Sequence, residues 1–388
     1  MPYVVLRDGK VFEGEAFGAW PENEEIRSGE VVFNTSMSGY QEIITDLSYA
    51  GQIIVFTHPQ IGNYGWHDEE NEADKILLRG LIVRELSEGE GSLHADRSLE
   101  DFCDQNQIWG LKGVDTRALT KHIRQQGTLP GVLVRTAKVG HEYWNNLQEE
   151  TLEQQAQGQQ LQLQQAQQKQ LGQEGQIIDP SQSPLHWVYQ TTIRESYEIP
   201  GEGPLLAVLD FGAKRNILRQ LHLRGFRLKV FPASTGSKEI LQYHPQGLVL
   251  TNGPGDPSEL PLIVETIKEL YPLLPTLGIC LGHQLLALAA GGQTYKLPFG
   301  HRGGNHPVQN VLTRETTMTA QNHGYAVREE SLVGSGFEVI YRNLNDGTVE
   351  GLEHIHYSVF SVQYHPEASP GPEENAEIFS KFIAKLTK

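Results

Sequence analysis

The chain has 388 residues, 38% of them hydrophobic, enough to build the cores of two ordinary domains. A formal net charge of −17 argues against a phosphate backbone as ligand, so nucleic acid is not expected and small-molecule or protein partners are. Two cysteines, Cys103 and Cys280, leave no disulfide framework and no thiolate zinc site; no basic leader or membrane-length apolar run is read, so the expectation is a cytoplasmic protein without membrane contact.

Three regions differ in texture. Residues 1–150 open with short β-like runs, Tyr3 to Leu6, Lys10 to Glu13 and Glu30 to Asn34, separated by Asp-Gly and Gly-rich turns. Gln52 to Thr57 and Gly80 to Val83 read as further strands and Thr116 to Gln125 as a helix, which together predict a mixed α+β domain. Residues 151–200 are a linker or insertion, with thirteen glutamines between Gln154 and Gln176. Such a tract cannot bury a core; it reads as a linker or as a solvated helix, followed by Pro180, Pro184 and Pro200.

Residues 201–388 alternate strand and helix. Leu205 to Leu209, Leu228 to Phe231 and Gly247 to Thr251 are apolar strands; Lys214 to Arg224, ended by Gly225, and Pro261 to Tyr271 are helices. That order predicts an α/β domain around a doubly wound, mostly parallel sheet, whose sites lie at the carboxyl ends of the strands.

Cys280 lies at such an end. Gly278-Ile279-Cys280-Leu281-Gly282 joins the strand Pro275 to Ile279 to a helix over His283 to Ala290 that Gly291-Gly292 closes. Glycines around the cysteine allow a turn sharp enough to present the sulfur, as nucleophile elbows present serine. The helix N-terminus favours negative charge there, and its first free N–H can face an oxyanion. A buried packing cysteine is the alternative reading of the same turn.

A thiol nucleophile needs a base. Val359 to Tyr364 alternates like a strand and ends in His365-Pro366-Glu367, where two residues of spacing in extended backbone put imidazole and carboxylate on one side. His283, His306 and His323 read as structural or substrate-shaping, and Cys103, with no elbow around it, as packing. Asp210 to Asn216 lacks the spaced glycines of a dinucleotide loop and reads as a structural turn.

The cysteine elbow with a distant His-x-Glu resembles the class I, triad-type glutamine amidotransferases. The resemblance implies Cys280, His365 and Glu367 as the catalytic set. It also implies oxyanion donors at the backbone of Gly253, in Asn252 to Pro257, and of Leu281, with glutamine binding at Gly255, Gln284, Asn322, Gly324 and Tyr325.

The first region narrows the family. Val32 to Ile43 with Thr45-Asp46 and Ser48-Tyr49, His58 to Asn63 and Gly113 to Thr120 are similar to the carbamoyl phosphate synthetase small-subunit family, as are Asp210 to Leu218, Phe299 to Pro307 and His365 to Pro372. The likeness spares only about residues 140 to 200. It implies that Ser48 reaches the bound glutamine and that ammonia passes to a large-subunit partner in a heterodimer. That partner supplies the ATP, magnesium and bicarbonate chemistry for arginine and pyrimidine biosynthesis. No cofactor and no metal is expected on this chain. A non-catalytic glutamine-binding subunit, or an amidotransferase serving another synthase, are the competing expectations.

Overall fold

A computed structural model describes residues 1–89, 95–149 and 187–386. The glutamine-rich stretch, and with it most of the expected 151–200 linker, lies outside the described residues.

The first region supplies β1 (Tyr3–Leu6), β2 (Val11–Glu13), β3 (Glu15–Gly18), β4 (Arg27–Asn34), β5 (Gln52–Phe56), β6 (Gln60–Ile61), β7 (Gly80–Ile82), β8 (Glu85–Leu86), β9 (Trp109–Lys112) and β10 (Leu129–Val134). All but the short pair β6 and β8 form one sheet in the order β2-β1-β10-β4-β5-β7-β9-β3, parallel from β4 through β9. Central β5 is apolar at every buried position because both its faces are covered. Ile54 enters one core with Tyr40, Tyr49 and Trp66, while Ile53 and Val55 enter another with Trp109 and Leu119. The expected helix runs Thr116–Gln126, capped by the Asp115 carboxylate on the Ala118 N–H and ended by Gly127.

The second sheet adds β11 (Tyr197–Ile199), β12 (Leu205–Asp210), β13 (Arg227–Pro232), β14 (Gly247–Leu250), β15 (Thr276–Ile279), β16 (Gln293–Asn310), β17 (Thr316–Arg328), β18 (Phe337–Asn343), β19 (Val349–His354) and β20 (Val359–Val362), in the order β11-β13-β12-β14-β15-β20-β19-β18-β16-β17. Its centre, β13 to β20, is parallel and doubly wound. Leu206 and Val208 face the helices Arg215–Leu223 and Glu377–Leu386, whereas Ala207 and Leu209 face Pro261–Leu270 and Leu281–Ala289. Beyond β20 the strands turn antiparallel, an extension built from 293–354 that the strand and helix patterns of the sequence do not announce. The sheet also starts before residue 201, since β11 pairs with β13.

The two units are joined by specific contacts. Glu72 caps the second unit's helix Arg215–Leu223, its carbonyl accepting from Arg215 N–H and its carboxylate from Asn216 N–H, both at 2.9 Å. That helix lacks a side-chain cap of its own, so a buried carboxylate from the first unit satisfies its orphan donors. Trp187 packs on Gly51, where a Cβ would approach the indole to 2.4 Å.

Candidate active site

Three parallel strands end on one edge, and a residue of the site follows each: Asn252 after β14, Cys280 after β15 and His365 after β20. Cys280 has φ 54° and ψ −101°, a left-handed conformation rare for a side-chain-bearing residue, with strain of roughly 1–3 kcal/mol. The Cys280 N–H donates to Val362 O at 2.9 Å and the Gly282 N–H to Thr251 O at 3.0 Å, which pins the turn to both flanking strands. Gly282 is obligatory there, because a Cβ would lie 2.3 Å from Leu250 O.

His365 is anchored by its own N–H to Ala320 O on β17 at 2.9 Å. Its Nδ1–H donates to Glu367 Oε1 at 2.6 Å, and both side chains are buried. Burial opposes charge on the imidazole, but the Glu367 carboxylate and the neighbouring Cys280 sulfur outweigh it and raise its pKa. With Nδ1 committed, buried Nε2 is the nitrogen left for the thiol. Glu367 is held below the ordinary carboxylate range: burial opposes this, and Lys214 and then His365 overcome it.

Lys214, which the sequence reading assigned to a structural turn, is the largest surprise. Its Nζ lies 3.0 Å from Glu367 Oε1 with a side chain 3% exposed, and it also donates to Ala368 O. Burial alone would lower its pKa; Glu367, Glu72 and Asp46 together raise it. Only the folded chain brings these four residues together, so no local pattern around Lys214 could have signalled the role.

Cys280 opens onto a cavity of about 220 Å³, lined also by Ser48, Gly253, Gly255, Gln284, Asn322, Gly324 and Tyr325. These are all the expected binding residues except Leu281, whose side chain is in the core. What Leu281 offers is its backbone N–H, at a first helical position without an intrahelical acceptor. Gly253 adjoins it: a Cβ there would meet Leu281 Cδ2 at 2.9 Å and Phe211 O at 2.4 Å. The cavity also carries charges of both signs, Arg302 and Lys296 against Glu30 and Asp256.

One wall comes from the first unit. Ser48 Oγ accepts from Asn252 Nδ2 at 2.9 Å, and Asp46 Oδ2 accepts from Asn322 Nδ2 at 2.8 Å. Asp46, Asn252 and Arg302 lie within the family-like motifs with no local signal that marks them as site residues; all are buried. Gln284 Nε2 donates to Tyr325 O at 2.8 Å, tying the elbow helix to β17. His283 pairs with Ser361 Oγ at 2.8 Å, and burial lowers its pKa to about 3, which suits a neutral packing role. Cys103 is buried in the first unit's core, in a different cluster from Cys280.

Residues 4–133 match the carbamoyl-phosphate synthase small chain CPSase domain, and residues 207–385 match glutamine amidotransferase class-I. The chain is 44% identical to the carbamoyl phosphate synthase small chain of Symbiobacterium thermophilum, covering 99% of this chain and 98% of that one. It is 42% identical to that of Listeria innocua, over 99% and 96%. It is also 42% identical to the pyrimidine-specific small chain of Lactiplantibacillus plantarum, over 98% and 94%. Two domain matches that together span most of the chain, and relatives matched over nearly its full length, settle the family: the chain belongs to the carbamoyl phosphate synthase small chain family, with a class I glutamine amidotransferase domain.

Proposed function

We propose that this chain hydrolyses L-glutamine to glutamate and ammonia through a Cys280–His365–Glu367 triad and hands the ammonia to a large-subunit partner. The observation that carries the reading is the strained Cys280 on a cavity wall beside an imidazole whose far nitrogen is held by a buried carboxylate.

The chemistry follows from the atoms. The Cys280 sulfur, its proton passed to His365 Nε2, attacks the amide carbon, and the N–H groups of Gly253 and Leu281 receive the negative oxygen. The carbon–nitrogen bond breaks as His365 returns the proton to the departing nitrogen, leaving a thioester and ammonia. Water then attacks the thioester, giving its proton to His365 Nε2, and the thiol is restored as glutamate leaves. Glu367 keeps Nε2 directed at the reaction and stabilises the imidazolium. A zwitterionic amino acid fits a cavity with both Arg302 and Glu30 on its walls, and Ser48, Gly255, Gln284, Asn322, Gly324 and Tyr325 form the contacts around it.

The partner is a carbamoyl phosphate synthase large subunit, and ATP, magnesium and bicarbonate are used there, to serve arginine and pyrimidine synthesis. The setting is cytoplasmic; among the described residues no helix is long and apolar enough to cross a membrane. The decisive experiment replaces Cys280 by alanine in the complex and measures glutamate release and carbamoyl phosphate formation. Glutamine-dependent product should vanish while ammonia-dependent product persists; glutaminase activity retained by Cys280→Ala would remove the nucleophile assignment.

A further inference from the structure

Against the glutamine cavity, whose wall His323 helps to line, the antiparallel extension buries a second cluster of chemically active side chains that the triad does not use. His301 on β16 and His323 on β17 are direct cross-strand partners, so their side chains share a face. Glu350, fully buried on β19, faces the same point. One donor atom from each of the three lies within 4.8 Å of the others.

The outer contacts of these side chains are what distinguish the cluster from a chance grouping. His301 directs Nε2 to the Asp346 carboxylate at 2.9 Å, and Asp346 is itself held by the Thr348 N–H and hydroxyl. His323 directs Nδ1–H to Tyr325 O at 2.7 Å. Asn343 and Gln321 each donate to one oxygen of Glu350 at 2.9 Å. The opposite nitrogens, His301 Nδ1 and His323 Nε2, are buried without a hydrogen-bond partner. A ring whose far nitrogen is fixed by a carboxylate or carbonyl, with the near nitrogen aimed into a shared gap, is how histidine is prepared to bind a metal. The His301 Nδ1 to Glu350 Oε1 separation is 3.7 Å, too long for a good hydrogen bond. It is near the roughly 3.3 Å between two ligands that each lie about 2.0–2.1 Å from a tetrahedral zinc ion.

We infer that His301 Nδ1, His323 Nε2 and a Glu350 carboxylate oxygen form a divalent transition-metal site for which zinc is the fitting ion, with water as fourth ligand. Two imidazoles and one carboxylate suit zinc, whereas magnesium and calcium prefer all-oxygen sets. The ion would offset the buried Glu350 charge and tie β16, β17 and β19 together directly behind Asn322, Gly324 and Tyr325. A proton on His301 is the competing occupant of the same gap.

The test uses the full chain, stripped with a chelator and titrated calorimetrically with zinc at neutral pH, with magnesium as control. Cobalt is added in a parallel titration to read the visible bands of a low-coordinate ion. One saturable equivalent of zinc, no magnesium binding and a raised Tm are expected. Asp346→Asn, at an exposed position, should weaken zinc about 10–100-fold by loosening His301, and His301→Gln and Glu350→Gln should abolish binding with the circular dichroism unchanged. Absence of a stoichiometric site overturns the assignment, as does an equivalent of zinc bound equally well by all three variants. If the two ligand variants fail to fold, Asp346→Asn alone decides.

Discussion

The Nζ of Lys214 lies 3.0 Å from Oε1 of Glu367, the same oxygen that receives the His365 N–H at 2.6 Å. The carboxylate that orients the imidazole is thus itself fixed by a buried ammonium, and that ammonium also senses Glu72 and Asp46 of the first unit.

Glu367→Gln keeps the shape of the side chain but removes the charge that favours the imidazolium. Glutamine turnover should fall by about 10²-fold or more, with KM much less changed, because general acid–base catalysis contributes on that scale. Steady-state glutaminase kinetics decide it, and an unchanged kcat would make Glu367 purely structural.

Lys214→Met should destabilise the fold by about 3–5 kcal/mol, since removing one partner of a buried ion pair strands the other. Two buried carboxylates, Glu367 and Glu72, would lose their cation. Denaturant unfolding measures the loss, and a midpoint equal to that of the parent chain would refute it.

Asp46→Ala removes no side chain in contact with the triad but frees Asn322, whose amide Asp46 holds at 2.8 Å. A hydrogen bond to a charged group contributes about 1.5–3 kcal/mol, so KM for glutamine should rise by about tenfold or more with a smaller change in kcat. The opposite pattern, kcat lost at constant KM, would mean that Asp46 acts on the triad instead.

Gly282→Ala would set a Cβ 2.3 Å from Leu250 O, backbone that cannot move aside cheaply. The elbow helix should be pushed off β14, lowering stability by about 1–3 kcal/mol and abolishing glutamine hydrolysis. Thermal melting and the glutaminase assay read the two effects separately.

The buried His365–Glu367 pair makes stability depend on pH with a definite sign. His365 is raised in the folded chain, so its contribution is complete below the ordinary histidine value of about 6.5 and is lost as pH climbs toward its folded value of about 10. Glu367 is depressed, so its contribution is present above the ordinary glutamate value and lost as pH falls below it. The stability gap between parent chain and Glu367→Gln should therefore narrow from pH about 6 to about 9; urea unfolding at both values measures it, and a constant gap would contradict the linkage.

The sequence by itself determined the local devices and the family. An elbow of Gly278, Cys280 and Gly282, a His-Pro-Glu after an alternating strand, and the helix stop at Gly225 are written within a few residues, because backbone sterics act at that distance. The parallel centre of the second sheet was legible for the same reason: buried strands there are continuous apolar runs. Strands β16 to β19 were not, since polar site residues such as His301, Gln321 and Glu350 interrupt their alternation. Tertiary structure alone decided which polar side chains meet. Lys214 reaches Glu367 across 153 positions of sequence, Asp46 reaches Asn322 across 276, and Glu72 caps a helix of the other unit. Burial removes water as a partner for each such group, so its charge must be met by whatever the fold brings beside it, and that neighbour has no trace in the local sequence.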